Sequence, residues 1–229
     1  MAVDLVLSSG FLAFARQAGF LRAVEESGLQ VDGVCGTSSG ALAGSLWASG
    51  ASADVIAERL SEKAPIRSLR LSHQPWRGLF SLAPVIAQLR EWLPPTFEEL
   101  SRPFAVGVRA PDGSARLLST GPLPEAVAAS CAIPGVFTPV SVSGVPYQDG
   151  GVVDRTGLQA WVSHRGVRPT ILHLVQATAD GVEPPAALLE GVCVVRTPRS
   201  GARLWNLGDF EAQRSQAQEL TTSMLTTWA

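Results

Sequence analysis

Charge is scarce in this chain. Only 17% of its 229 residues are charged and the net charge is −2, against roughly a quarter charged in an ordinary soluble domain. Without a basic patch there is no electrostatic footprint for nucleic acid, so that class of partner is excluded. Cysteine is scarce too. Cys35, Cys131 and Cys193 make an odd count with no metal-ligand spacing, each in apolar surroundings. They read as buried, reduced core residues, which fits a cytosolic compartment and calls for no metal or other cofactor. No secretory leader is expected either: Asp4 stands where a basic region belongs, and Ser8-Ser9-Gly10 cuts the first apolar run short. The uncharged span 33–53 is too rich in Gly, Ser and Thr to cross a membrane, and reads as a buried strand followed by a buried helix. There is no internal repeat and no low-complexity tract.

What is present is an apolar fraction of 46% in 229 residues. A chain of this length is expected to form one domain over 1–229, burying roughly 70–75% of its unfolded surface. Residues 2–7 read as a first buried strand, and Ser8-Ser9-Gly10 as a loop. A helix follows to about Gly28, with Phe14, Ala18, Leu21 and Val24 at helical spacing and Gly28 as its stop. Residues 31–35 read as a second strand, the next helix ends near Gly50, and Ser52 caps another that carries Val55, Ile56 and Leu60. This alternation predicts an α/β fold with a mostly parallel central sheet and helices on both faces.

Residues 64–95 differ. They hold Pro65, Pro75, Pro84, Pro94 and Pro95, with Trp76, Phe80 and Trp92 among basic residues, and predict a loop and short amphipathic helix capping the domain. Tryptophan and phenylalanine near basic residues suit transient contact with a membrane surface; a helix packed on the core is the competing reading. Further on, 104–108 and 115–118 flank a turn at Pro111-Asp112-Gly113-Ser114, 124–130 reads as a short helix, 170–177 and 192–195 as late strands, and the polar stretch from Asp209 as a helix.

The pentapeptide Gly36-Thr37-Ser38-Ser39-Gly40 stands between the second strand and its helix. Strand, sharp turn and helix are the context of a nucleophile elbow, in which a strained turn lifts a serine hydroxyl above the sheet and the next helix aims its first amides at the same spot. The pentapeptide alone is common, and a glycine-rich connection without chemistry has the same spelling.

Three segments, in order, give it company. Leu7-Ser8-Ser9-Gly10 precedes a helix containing Gly19-Phe20-Leu21; the elbow follows; then Ser130-Cys131-Ala132-Ile133-Pro134-Gly135-Val136-Phe137 leads to Asp149-Gly150-Gly151. This ordered set resembles the patatin-like phospholipase family of lipid acyl hydrolases, over about two-thirds of the chain. The resemblance implies a Ser–Asp dyad, with Ser38 as nucleophile and Asp149 as the group that takes or orients its proton. It implies a lipid or other acyl-ester substrate, an acyl-enzyme, and an oxyanion hole of backbone amides from Ser9, Gly10 and Phe11 with Ser39 at the elbow. The motif glycines are then Gly36, Gly40, Gly150 and Gly151. A carboxylate is an ordinary weak base, and desolvation makes it a stronger one.

The sequence departs from the family in two places. The basic residue usual in the first loop falls at Ala13 and the closing glycine at Phe14, which leaves the loop's conformation open, since Ser9 and Phe11 tolerate positive φ poorly. After the aspartate, Arg155-Thr156-Gly157 replaces an Asn-x-Pro. Of the histidines, His73 lies in the proline-rich loop, His164 in a polar turn and His173 inside an apolar strand. None sits in a base motif, although His164 follows Ser38 and Asp149 in the chain order of a triad. Hydrolysis of lipid esters leads the functional readings. Acyl transfer on the same dyad and a non-catalytic lipid-binding protein on a hydrolase scaffold are the alternatives. The expected location is cytoplasmic, peripheral at membranes.

Overall fold

The apolar run at the start of the chain becomes β1 (Ala2–Leu7), almost wholly buried, in the middle of an eight-stranded sheet. The computed structural model describes residues 2–62, 69–176 and 184–228. Residues 64–68 of the expected cap, Pro65 included, and Ala177 at the end of an expected strand lie outside them. The other strands are β2 (Gln30–Thr37), β5 (Phe104–Arg109), β6 (Ala115–Leu118), β7 (Val140–Val142), β8 (Val145–Asp149), β9 (Thr170–Val175) and β10 (Val192–Thr197), with a separate small ribbon of β3 (Arg70–Leu71) and β4 (Phe80–Ser81). The helices are α1 (Phe14–Glu26), α2 (Ser39–Ala48), α3 (Ala53–Ser61), α4 (Ala83–Trp92), α5 (Leu123–Ser130), α6 (Leu158–Arg165) and α7 (Phe210–Trp228).

The sheet order is β10-β9-β1-β2-β5-β8-β7, with β6 also on β5. The first five strands are parallel, while β6, β7 and β8 are antiparallel. Both faces of the sheet carry helix, as expected, but unequally. Side chains alternate along a strand. Val3, Leu5 and Leu7 pack with α1, α2, α3 and α5 in the main core. Val6, Cys35, Ala105, Leu172 and Leu174 face the other way, onto Leu158 and Trp161 of α6.

Local signals end the helices where expected. Gly28 takes a φ of +69° after α1, a left-handed stop that glycine adopts without penalty. Ser52 Oγ accepts the Val55 amide at 3.3 Å to cap α3, and Asp209 Oδ1 accepts the Ala212 amide at 2.9 Å to start α7. Three elements went unforeseen: the β3–β4 ribbon, α6, and the hairpin of β7 and β8. That hairpin turns through Ser143 and Gly144, both at positive φ (50° and 86°), a pairing whose twist suits a two-residue hairpin.

The hairpin matters because of where β8 ends. A strand has two edges, and β6 takes one edge of β5 along Val106–Arg109. The other edge is shared. It pairs with β2 over Phe104 to Gly107, with Thr37 opposite Gly107, and then with β8, with Asp149 opposite Val108. The turn leaving β2 and the end of β8 therefore meet one residue apart on β5, a rise of about 3.3 Å.

Helix α7 closes the fold over α1. A Cβ on Gly19 of α1 would collide with the Arg214 carbonyl of α7. Gly19→Ala is therefore expected to push the helices apart and cost about 1–3 kcal/mol, read as a lower urea midpoint at unchanged slope; an unchanged midpoint would mean that α7 yields freely.

Candidate active site

Ser38 sits at the turn from β2 into α2 with φ 54° and ψ −117°. An L-residue held there is strained by about 1–3 kcal/mol. The surroundings hold it. A Cβ on Gly36 would strike the Gly40 carbonyl, and one on Gly40 the Leu7 carbonyl, so the turn closes only because both are glycine. The Ser38 amide donates to Ser130 Oγ at 2.8 Å, and Ser130 donates on to the Gly107 carbonyl at 2.6 Å. The Cys131 thiol donates to the Ser38 carbonyl at 3.4 Å.

Asp149 is buried at the end of β8, with Ser38 near enough to favour the ionised form of its carboxyl. Oδ1 also accepts the Gly151 amide at 2.7 Å, and the Asp149 amide donates to the Ala132 carbonyl at 3.0 Å. Burial pushes the carboxyl up to about 6, against the opposing pull of the Gly151 amide and the Ser38 hydroxyl. Gly150 and Gly151 allow the fit: a Cβ on Gly150 would lie 2.5 Å from the Gly107 carbonyl, and one on Gly151 2.7 Å from Ser9.

The four amides suggested for an oxyanion hole divide. The Ser9 amide donates to the Arg155 carbonyl at 2.7 Å, so it is occupied and is removed from that set. Among the described residues the amides of Gly10 and Phe11 take no backbone acceptor, and that of Ser39 opens α2, where first-turn amides have no partner in the helix. Gly10, Phe11, Ser38 and Ser39 line one cavity. The positive φ that the loop needs falls on neither Ser9 nor Phe11 but on Leu12 (φ 49°), whose carbonyl accepts Ser200 Oγ at 3.1 Å.

That cavity encloses about 180 Å³, and its wall is mostly apolar. Leu42 comes from α2, Leu60 from α3, and Val85, Leu89 and Trp92 from α4. The aromatic residues of the proline-rich region part company here. Trp92 is half-buried in the cavity wall with the Arg59 guanidinium 5.5 Å over its ring, and Phe80 packs on Phe137 at 6.5 Å. Trp76 is 80% exposed.

None of the three histidines lines the cavity. His164 lies beside Trp161, on the face of the sheet away from it, and His73 is exposed. His173 is a satisfied core residue. It stacks on Phe20 at 4.6 Å, with Nδ1 2.7 Å from Gln17 Oε1 and Nε2 2.9 Å from Thr197 Oγ1. Gln17 Nε2 donates to the Ser8 carbonyl at 2.9 Å, so its Oε1 accepts, and the network assigns the His173 proton to Nδ1. Burial pushes His173 down to about 3, so it stays neutral. Gln17 also reaches Ser39 Oγ at 3.4 Å, tying this network to the elbow. Sequence reasoning assigned no part to Gln17 or Ser130. Ser130 stood directly before the Cys-Ala-Ile-Pro-Gly segment, and Gln17, a polar residue amid the apolar positions of α1, was the available sign.

Comparisons with known proteins bear on the family and the fold. The sequence model of the family described as patatin-like phospholipase matches residues 5–160, a span that holds the loop, the elbow and Asp149. The chain belongs to the patatin-like phospholipase family. Two uncharacterised NTE family proteins, of Mycobacterium bovis and Mycobacterium tuberculosis, are each 31% identical to it over 156 residues, 66% of this chain and 43% of theirs. The chain thus spans less than half the length of those curated relatives. Among solved structures, VipD from Legionella pneumophila superposes with a TM-score of 0.62 at 13% identity, covering 98% of this chain and 67% of that one. ExoU in its complex with SpcU, from Pseudomonas aeruginosa, gives 0.54 at 17% identity, covering 99% and 52%. At such identities the likeness is one of fold.

The raised Asp149 carboxyl has a consequence for stability. Folding resists its ionisation, so between its ordinary value near 3.8 and about 6 the folded chain binds the extra proton. Its unfavourable contribution is full above pH 6 and gone below pH 4, worth about 2–3 kcal/mol. Asp149→Asn is expected to raise stability at pH 8 by about that amount and at pH 4 by little. Denaturation at both pH values checks this; an equal change at both would mean that the carboxyl titrates normally.

Proposed function

We propose that this chain is a lipid acyl hydrolase that cleaves carboxylic esters through an acyl-enzyme on Ser38. The observation that carries the reading is Ser38, held in a strained turn at the wall of an apolar cavity, next to a buried Asp149 whose carboxyl is pushed up to about 6. Asp149 takes the proton as Ser38 Oγ attacks the ester carbonyl. The negative charge then forming on the carbonyl oxygen is met by the amides of Gly10, Phe11 and Ser39. Collapse breaks the ester bond, and the protonated Asp149 returns its proton to the leaving alcohol. Water, giving its proton to Asp149, attacks the acyl-serine by the same path in reverse and releases free acid. The apolar cavity suits the acyl chain, and the strain at Ser38 sets its hydroxyl before substrate arrives.

A fluorophosphonate probe is expected to label the wild-type chain at Ser38, and Ser38→Ala to lose both labelling and hydrolysis of short p-nitrophenyl esters. The base must be ionised, so kcat/KM should rise about tenfold per pH unit up to about 6 and level off above it. Labelling at another residue, or a rate independent of pH between 4 and 7, would sink the dyad. Free acid as sole product with an alcohol acceptor present separates hydrolysis from acyl transfer, and absence of labelling would favour a non-catalytic binding protein.

We further propose contact with a membrane surface through the β3–β4 ribbon. Leu71 and Trp76 are 78% and 80% exposed, with Leu79 also exposed, beside Arg70 and Arg77. The ribbon is tied to the cavity wall: the Phe80 amide donates to Val136 and its carbonyl accepts from Thr138, both at 2.9 Å, on either side of Phe137. Exposed tryptophan and leucine flanked by arginine suit a headgroup boundary. Trp76→Ala is expected to cut hydrolysis of vesicle lipid several-fold while sparing soluble monomeric esters. Equal loss on both would place Trp76 in the fold's support instead.

A further inference from the structure

The loop that opens α1 lacks two residues usual in its family, a basic one at Ala13 and a glycine at Phe14. Its backbone is nonetheless gripped at one point, from a distant part of the chain. The Ser9 amide donates to the Arg155 carbonyl at 2.7 Å, and Arg155 Nη2 donates back to the Ser9 carbonyl at 3.1 Å. The same Nη2 donates to the Val175 carbonyl at 2.6 Å, at the end of β9. Arg155 stands where the family's Asn-x-Pro begins, so this reciprocal grip belongs to the second departure of this sequence and acts on the first.

What the grip does follows from peptide geometry. The Ser9 carbonyl and the Gly10 amide belong to one planar trans unit and point in opposite directions. Holding the carbonyl toward Arg155 turns the Gly10 N–H the other way. Gly10 borders the cavity with Ser38 and takes no backbone acceptor among the described residues. Gly10 itself is closely packed, since a Cβ there would lie 2.8 Å from the Ala13 side chain and 3.0 Å from Val175 Cγ1. A guanidinium is well suited to such a grip, since its rigid fork carries several donors and it keeps its charge at any working pH.

We propose that Arg155 is a positioning residue, which aims the Gly10 amide at the oxyanion by holding the opposite end of the same peptide unit. Here a side chain from beyond the aspartate does the fixing that the loop's own sequence does not supply. The proposal rests on the acyl-hydrolase reading of Ser38, and its test separates the two.

The full chain is assayed on a soluble p-nitrophenyl ester as wild type, Ser38→Ala, Arg155→Met and Arg155→Lys. Turnover that survives in Ser38→Ala defeats the hydrolase reading, whatever Arg155 does. With turnover lost in Ser38→Ala, Arg155→Met is expected to lower kcat about 10²-fold with KM within about twofold, since the amide acts on the tetrahedral state and not on bound ester. Affinity for a trifluoromethyl ketone, which forms a tetrahedral adduct on serine, should fall by the same factor. Binding of an unreactive ether analogue should not change. Arg155→Lys, which keeps a donor to one carbonyl, should recover part of both losses. The rise of rate with pH near 6 should stay in place, because Asp149 is untouched. If kcat stays within about twofold of wild type, or KM rises while kcat holds, Arg155 does not position the hole. Should Arg155→Met fail to fold, Arg155→Lys decides the matter: parallel loss of kcat and ketone affinity supports the proposal, and ketone affinity equal to wild type overturns it.

Discussion

One edge of β5 organises this protein. Parallel pairing brings β2 up that edge as far as Gly107, and antiparallel pairing brings β8 down it from the other end to Val108. Two strands cannot occupy one edge at one position, because each backbone donor and acceptor there serves one ladder. One strand must leave where the other arrives. Leaving takes the form of the sharp turn at Ser38, and arriving takes the form of a carboxylate at the last residue of β8. The nearness of Ser38 to Asp149 is thus a consequence of sheet topology before it is one of side-chain chemistry. The crowding at the junction accounts for the glycines at 36, 40 and 150, each of which stands where a Cβ would press on the backbone of a neighbouring segment.

The junction stores cost in two forms, backbone strain at Ser38 and desolvation of Asp149, the second partly offset by the Gly151 amide. The elbow is held by a polar network threaded through an otherwise apolar core. Ser130 ties the Ser38 amide to Gly107. Gln17 joins the end of β1 and the elbow hydroxyl Ser39 to His173 and, through it, to Thr197 on β10. Each member has partners, which is the condition for a buried network to rigidify and not destabilise. The histidine serves here, neutral and stacked on Phe20, as a member of the core network and away from the cavity.

The sequence spelled the parts that depend on local order. Buried strands, glycine stops, the Ser52 cap and the strand–turn–helix around Ser38 need only nearest neighbours, and the structure has them within a residue or two of their expected places. It did not spell what depends on partners far along the chain. The β7–β8 hairpin escaped although Ser143-Gly144 is a legitimate turn signal, because three- and five-residue strands carry too little alternation to register. Helix α6 escaped because eight residues make barely two turns, with Leu158 and Trp161 as their only fully buried contacts. Ser9 was read as a donor by its place in the loop; its amide is taken by Arg155, 146 positions away. Ser130 and Gln17 are ordinary residues in their own segments, and only tertiary pairing gives them work.

Burial links the remaining pieces. Ser38 lines a cavity whose apolar wall comes from α2, α3 and α4, while Asp149 does not line it and is buried at the end of β8, where exclusion of water pushes its carboxyl up to about 6. In the proposed reading, substrate recognition and base strength then come from different surroundings that meet at Ser38. The wall receives the acyl chain, and the junction on β5 keeps the carboxylate a stronger base than it would be in water. A polar side chain introduced into the wall would weaken the hold on an apolar acyl chain and leave the surroundings of the carboxylate as they are.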